Sequence, residues 1–358
     1  MHPSPFKFLD AYGKDDAARF FGRERETAQL YNAVFAANLT LLYGASGTGK
    51  TSLVNCGLAN KFYDTDWLPI YIRRGANLNT ALTAQLKENL KNTPPQYQPQ
   101  NLDSFDNQSI VTKIEQLYRA YYRPLFLIFD QFEELFILGS RDEAAAFYDS
   151  IRQILEESPI QAKIILIIRE EWIAYLNDFE KVIPYLFENR LRVEKPDDRT
   201  LFRIVGGTLQ AANIGIEQAA VTIRALLDNI RDRREGVDLT HLQVYLDRVY
   251  RKLSAEQTAL IFTPSVIAEV GAMQNVISAF LDEQFGLLEQ DLQKRGIAQA
   301  KGIPLEILFT MVSDDGTKKP VDLAHIQESL PRNIQIKIQD IEFCLNRFKT
   351  IRILRETE

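Results

Sequence analysis

Two rhythms of apolar residues run through this chain. The first is that of strands. Residues 125–129 and 164–168 are unbroken apolar runs and 39–43 is a short apolar run, the pattern of strands covered on both faces; 67–73 and 190–193 are further strand candidates. The second rhythm is helical. Leu78, Leu82, Leu86 and Leu90 recur every four residues, and Ile110, Ile114, Leu117 and Tyr118 trace another helical face, as do Phe147, Ile151, Ile154 and Leu155. Residues 15–36 read as helical with a sharp interruption at Phe20, Phe21, Gly22 and Arg23. Strands alternating with helices predict an α/β fold, with a parallel sheet sandwiched between helices.

The strand rhythm stops near Lys195 and Pro196. From there to about residue 252 the periodicity is helical and no strand is expected. Thr263 as N-cap and Pro264 in the first turn then open a long helix. Residues 304–312, 323–330 and 337–348 predict three short helices, and 350–354 alternates as a strand does, which together suggest a winged-helix domain. The expected organisation is an α/β domain over 1–195, a helical domain over 196–258 and a winged helix over 259–358. The chain stops where the turn of the wing should begin, so the wing is expected to be truncated and the natural protein to continue.

Composition narrows the function classes. The chain has 358 residues, 46% hydrophobic and 25% charged, which suits a soluble protein of two or three domains. A net charge of -6 argues against nucleic acid as the main partner. Cys56 and Cys344 make neither a disulfide framework nor a zinc site and read as cytosolic. No segment reaches the ~18 apolar residues of a membrane helix.

The chemistry concentrates at the ends of the predicted strands. Gly44-Ala45-Ser46-Gly47-Thr48-Gly49-Lys50-Thr51 satisfies G-x-x-x-x-G-K-[ST] between a strand and a helix. The cradle comprises Gly44, Ser46, Gly47, Thr48 and Gly49, with Lys50, Thr51 and Ser52 at the helix start. Its glycines let backbone N–H groups curl around phosphates, Lys50 would reach the β- and γ-phosphates, and the Thr51 hydroxyl would ligate Mg²⁺. The ligand expected is ATP or ADP with Mg²⁺. Asp130 ends the strand at 125–129 and can share the metal with Thr51. Glu133 and Glu134 are candidates for activating water, Glu133 preferred; alternatively both are acidic residues of a first helical turn. Arg169, at the end of 164–168, either senses the γ-phosphate or pairs with Glu170 or another neighbour.

With these residues in view the chain resembles the STAND class, signal-transduction ATPases with numerous domains. It is most similar to the bacterial novel-STAND branch, related to the NACHT and apoptotic ATPases. Phe20-Phe21-Gly22-Arg23-Glu24-Arg25-Glu26 looks like the hhGRExE motif of that class, Asp130-Gln131-Phe132-Glu133-Glu134-Leu135-Phe136 like its second motif, and Gly316-Thr317-Lys318-Lys319-Pro320-Val321 like its winged-helix region. The resemblance implies that Phe20, Phe21, Gly22 and Arg23 sit near adenine and ribose, and that 196–258 is a lid. It also implies a switch: closed with ADP, open and self-associating with ATP, slow in hydrolysis, and answering to a protein trigger in bacterial defence or regulation. Two departures stand out: isoleucine rather than threonine or serine precedes Arg169, and Gly236-Val237-Asp238-Leu239 lies near where relatives carry G-x-P. A non-hydrolysing scaffold, or a DNA-binding regulator using Lys337, Arg347, Lys349, Arg352 and Arg355, are the rival readings.

Overall fold

Apolar runs buried on both faces produce the expected sheet. In a computed structural model the protein is described over residues 4–8, 10–94, 96, 104–232, 236–256, 259–297, 299–312, 321–331, 334 and 336–350. It forms two compact units, Met1–Glu269 and Val270–Glu356. In the first, strands β1 (Leu39–Gly44), β2 (Leu68–Ile72), β3 (Leu125–Phe129), β4 (Lys163–Arg169) and β5 (Arg190–Arg192) form one parallel sheet in the order β2-β3-β4-β1-β5. Alternate side chains feed opposite layers. Leu41, Ile70, Leu127, Phe129 and Leu166 meet α3 (Leu78–Lys91), α4 (Ile110–Tyr121) and α6 (Arg141–Arg152). Leu42, Phe126, Ile128, Ile165 and Ile167 meet α1 (Glu24–Ala36) and the helical segment that starts at α2 (Lys50–Ser52) and continues through residues 53–61 with a π-helical stretch.

The strand order decides the site. β4 lies between β1 and β3, so the end of β4 separates the glycine loop from Asp130. Gly44 is level with Arg169, and the Asp130 N–H donates to the Ile72 carbonyl of β2 at 3.0 Å. The turn after β2 is itself anchored. Arg74 and Glu143 form a buried bidentate pair, Nε to Oε1 at 2.9 Å and Nη2 to Oε2 at 2.7 Å, and Glu143 Oε1 also accepts from the Leu78 N–H at 2.8 Å.

Helices α8 (Asp198–Ala211), α9 (Ala219–Ile230) and α10 (Leu239–Ala255) follow the sheet within the same unit. One expectation fails here. The 196–252 stretch does contain a strand, β6 (Gly215–Ile216), paired in parallel with β7 (Ile261–Phe262); two residues are too few to leave a period in the sequence. Thr263 caps α11 (Pro264–Val270) as expected, its Oγ1 accepting from the Val266 N–H at 3.3 Å. That helix is short rather than long: it ends at Val270, Gly271 takes φ +73°, and α12 (Met273–Lys294) starts as a separate helix.

In the second unit α12, α13 (Ile303–Phe309), α14 (Leu323–Ser329) and α15 (Ile338–Thr350) surround a core of Leu288, Leu292, Ile307, Ile326, Ile341 and Phe348. Thr350, expected to begin a strand, instead ends α15. The remaining wing residues 351–354 and the Gly316–Pro320 part of the family-like segment lie outside the described residues.

Glu143→Ala should cost about 3 kcal/mol or more, because it leaves the Arg74 guanidinium buried without its partner. Arg74→Met combined with Glu143→Leu should recover most of that loss. Urea denaturation of both variants checks this; equal losses would show that packing volume, not the unpaired charge, dominates.

Candidate functional site

β1 delivers the glycine loop to the carboxyl edge of the sheet. Gly44 leaves the strand with φ +156°, and a Cβ there would come within 2.2 Å of the Val193 carbonyl oxygen. Only glycine fits that close backbone approach. Lys50 folds back over the loop, with Nζ donating to the carbonyls of Gly44 at 2.7 Å and Ala45 at 2.8 Å. Burial lowers its pKa, against the attraction of Glu133. The Thr51 hydroxyl donates to Asp130 Oδ1 at 2.9 Å, closing the gap between the loop and β3. Thr48 Oγ1 donates to the Ala45 carbonyl, and Ser52 Oγ accepts from the Tyr12 N–H at 3.0 Å, so Ser52 holds the N-terminal segment. Ser46 is exposed at the loop tip.

Asp130 is only 6% exposed, and its second oxygen accepts from Arg73. Gln131 then takes φ +60°, a costly conformation for a non-glycine residue, and this turn sends Glu133 back beneath the edge. Glu133 is 4% exposed, with Oε1 at 3.0 Å from Arg169 Nε and Oε2 accepting from the Arg169 N–H at 3.3 Å. Burial raises its pKa despite Arg169. Glu134 opens α5 (Glu134–Leu138), half-buried in the first turn. Arg169 thus pairs with Glu133, while Glu170 pairs with Arg192 at 2.9 Å.

The Phe20–Arg23 element reaches the loop through Arg23. The Phe20 ring packs against Gly57 and Tyr12, and the Phe21 ring lies over Gly207 of α8, where a Cβ would meet it at 2.8 Å. Gly22, at φ +78°, abuts Ile204 and Thr200 of the same helix. Arg23, 3% exposed, donates from Nη2 to the carbonyls of Thr48 at 2.8 Å and Glu194 at 2.9 Å, and from Nη1 to Glu26 Oε1. Its Nε is buried with no hydrogen-bond partner among the described residues.

The chain reaches the loop from the other side as well. The Leu239 N–H donates to the Gly47 carbonyl at 3.1 Å, and a Cβ on Gly47 would fall 1.8 Å from Asp238 Oδ2. Asp238 also caps α10, Oδ1 accepting from the Thr240 N–H at 2.6 Å. The glycine loop, a strand-end aspartate bonded to Thr51, and Arg23, bonded to the Thr48 carbonyl of that loop, converge at one edge. The sequence profile described as novel STAND NTPase 1 matches residues 5–355.

The chain belongs to the novel STAND NTPase 1 family. It is a nucleotide-binding NTPase by family, and its sheet has the P-loop NTPase fold. Among solved structures it is similar to the Walker-type ATPase paby2304 of Pyrococcus abyssi, with 16% identity, a TM-score of 0.51, and coverage of 97% of this chain and 93% of that one. The ORC2 protein of Aeropyrum pernix in its ADP form is similar at 14% identity and TM-score 0.53, covering 97% and 90%. At these identities the likeness is one of fold. No match to the chain was found among curated proteins.

This family member's site also fits the metal its fold implies. A buried carboxylate and a threonine hydroxyl at 2.9 Å are hard oxygen donors of the kind Mg²⁺ takes alongside phosphate oxygens. Two residues now in the site were not singled out in the sequence. Arg73 carried one signal, a basic residue just past a strand end; Asp238 stood in a noted motif but without a role.

Arg23→Ala should destabilise the nucleotide-free protein by about 2 kcal/mol, since two carbonyls lose a charged donor, and should weaken ADP binding by loosening the loop. Melting and ADP calorimetry on one variant decide this. Weakened ADP binding with an unchanged melting temperature would instead make Arg23 a direct ligand contact.

Proposed function

We propose that this chain is an ATP- and ADP-binding switch that hydrolyses ATP slowly with Mg²⁺. The observation that carries the reading is the Thr51–Asp130 hydrogen bond, which joins the glycine loop to β3 across the intervening strand. Loop N–H groups and Lys50 would bind the phosphates, Lys50 exchanging its two carbonyl partners for phosphate oxygens. Thr51 and Asp130 would hold Mg²⁺, which neutralises charge between the β- and γ-phosphates when bound. Glu133 would take the proton of the attacking water, with Glu134 as the second candidate, and Arg169 would stabilise the developing negative charge.

The switch part of the reading rests on the α10 end. Its N-terminus is bonded to Gly47 in the loop itself, so a ligand that moves the loop acts directly on the helices after the sheet. We assign residues 196–258 as the lid and 259–358 as a winged-helix clamp. Self-association in the ATP state, a protein trigger and a role in bacterial defence or regulation complete the proposal. One observation favours a second reading, a module that binds nucleotide without hydrolysing it: the Arg169 ion pair holds Glu133 away from a water-activating role.

Glu133→Gln separates the two. Hydrolysis should fall by about 100-fold or more, with ATP and ADP affinity little changed. In the native chain, turnover should decline on the acid side through a pKa above the usual glutamate value, because burial holds the Glu133 proton longer. That acid limb should vanish in the variant. Unaltered turnover in Glu133→Gln but loss in Glu134→Gln would transfer the role, and no turnover in the native chain would favour the scaffold.

A further inference from the structure

Both oxygens of Asp130 are partnered. Oδ1 accepts the Thr51 hydroxyl, and Oδ2 accepts two bonds from Arg73, Nη2 at 2.5 Å and Nε at 3.2 Å. The two partners differ in freedom. Asp130 is 6% exposed and its N–H is bonded to the Ile72 carbonyl of β2. The Arg73 side chain is 45% exposed. Its neighbour Arg74 is fixed in the buried pair with Glu143, so the chain at the end of β2 is anchored and the Arg73 guanidinium is the part that can swing away.

A divalent cation placed between Thr51 and Asp130 would draw on Oδ1, next to the Oδ2 that Arg73 holds, so metal and guanidinium would share one carboxylate. Two cations a few ångströms apart also repel, and the buried surroundings screen that repulsion less than bulk water does. We propose that Arg73 is the resident counter-cation of Asp130, a positioning residue that a divalent metal must displace, so that the strength of the Arg73–Asp130 pair sets how much metal the site demands. This rests on the nucleotide-site reading above and adds to it a competitor on another strand. In the metal-free protein Arg73 keeps the buried carboxylate neutralised; when metal is bound it is released toward solvent.

The test is the metal dependence of ADP affinity, taken as the ratio of Kd in EDTA to Kd in saturating Mg²⁺ by calorimetry. Arg73→Gln should raise that ratio about fivefold, the worth of one partly exposed ion pair. Arg73→Lys, which keeps the charge, should restore a ratio near the native one. Asp130→Asn should lower the ratio, and in that background Arg73→Gln should add nothing. A ratio unchanged or lowered by Arg73→Gln overturns the proposal, as does an Arg73 effect that persists with Asp130→Asn. A native chain that binds ADP under neither condition would sink the nucleotide-site reading and this inference with it. ADP binding with a ratio indifferent to Arg73 sinks this inference alone.

Discussion

A carboxylate at the end of a fully buried strand must be neutralised, and the carboxyl edge of this sheet is arranged around that requirement. Asp130 stands where β3 leaves the core. Water cannot solvate it well, so protein donors must. Thr51 arrives from the glycine loop two strands away and Arg73 from the adjacent strand. The same logic recurs one turn later, where buried Glu133 takes Arg169 from β4, the strand between them. Four strand ends are thereby tied into one charged layer.

The glycine loop is gripped on its outer side too. Arg23 holds the Thr48 and Glu194 carbonyls, Ser52 holds the backbone at Tyr12, and the N-terminus of α10 holds Gly47. The absent Cβ at Gly47 is what admits Asp238 against the loop. An acidic side chain thus stands directly against the glycine loop, and the Leu239 N–H beside it donates to the Gly47 carbonyl.

Much of this was legible in the sequence because burial on both faces writes itself as unbroken apolar runs. Residues 125–129 and 164–168 gave two strands, and the glycine loop fell between β1 and α2 where its spacing required. The hhGRE-like and second motifs gave the family that the profile match shows. What could not be read were features set by strand order or by single residues. Arg73 matters because β2 lies beside β3, which no periodicity reveals. β6 and β7 are two residues each, and Gly271 divides a helix whose apolar pattern gave no sign of the break. For Arg169 the sequence fits a phosphate-sensing role and an ion pair equally well. Its actual partner, Glu133, is distant in sequence and adjacent only once β4 is placed.

Everything proposed for this edge requires that Thr51 and Asp130 form one site rather than two neighbouring structural groups. A double-mutant cycle in Mg²⁺–ADP affinity measures it, using Thr51→Ala, Asp130→Asn and the pair, by calorimetry. Strong non-additivity is expected, with a coupling of about 1 kcal/mol or more, because either change alone already breaks the shared oxygen pair. Losses that simply add would contradict it, and would leave the 2.9 Å hydrogen bond between them as a matter of packing alone.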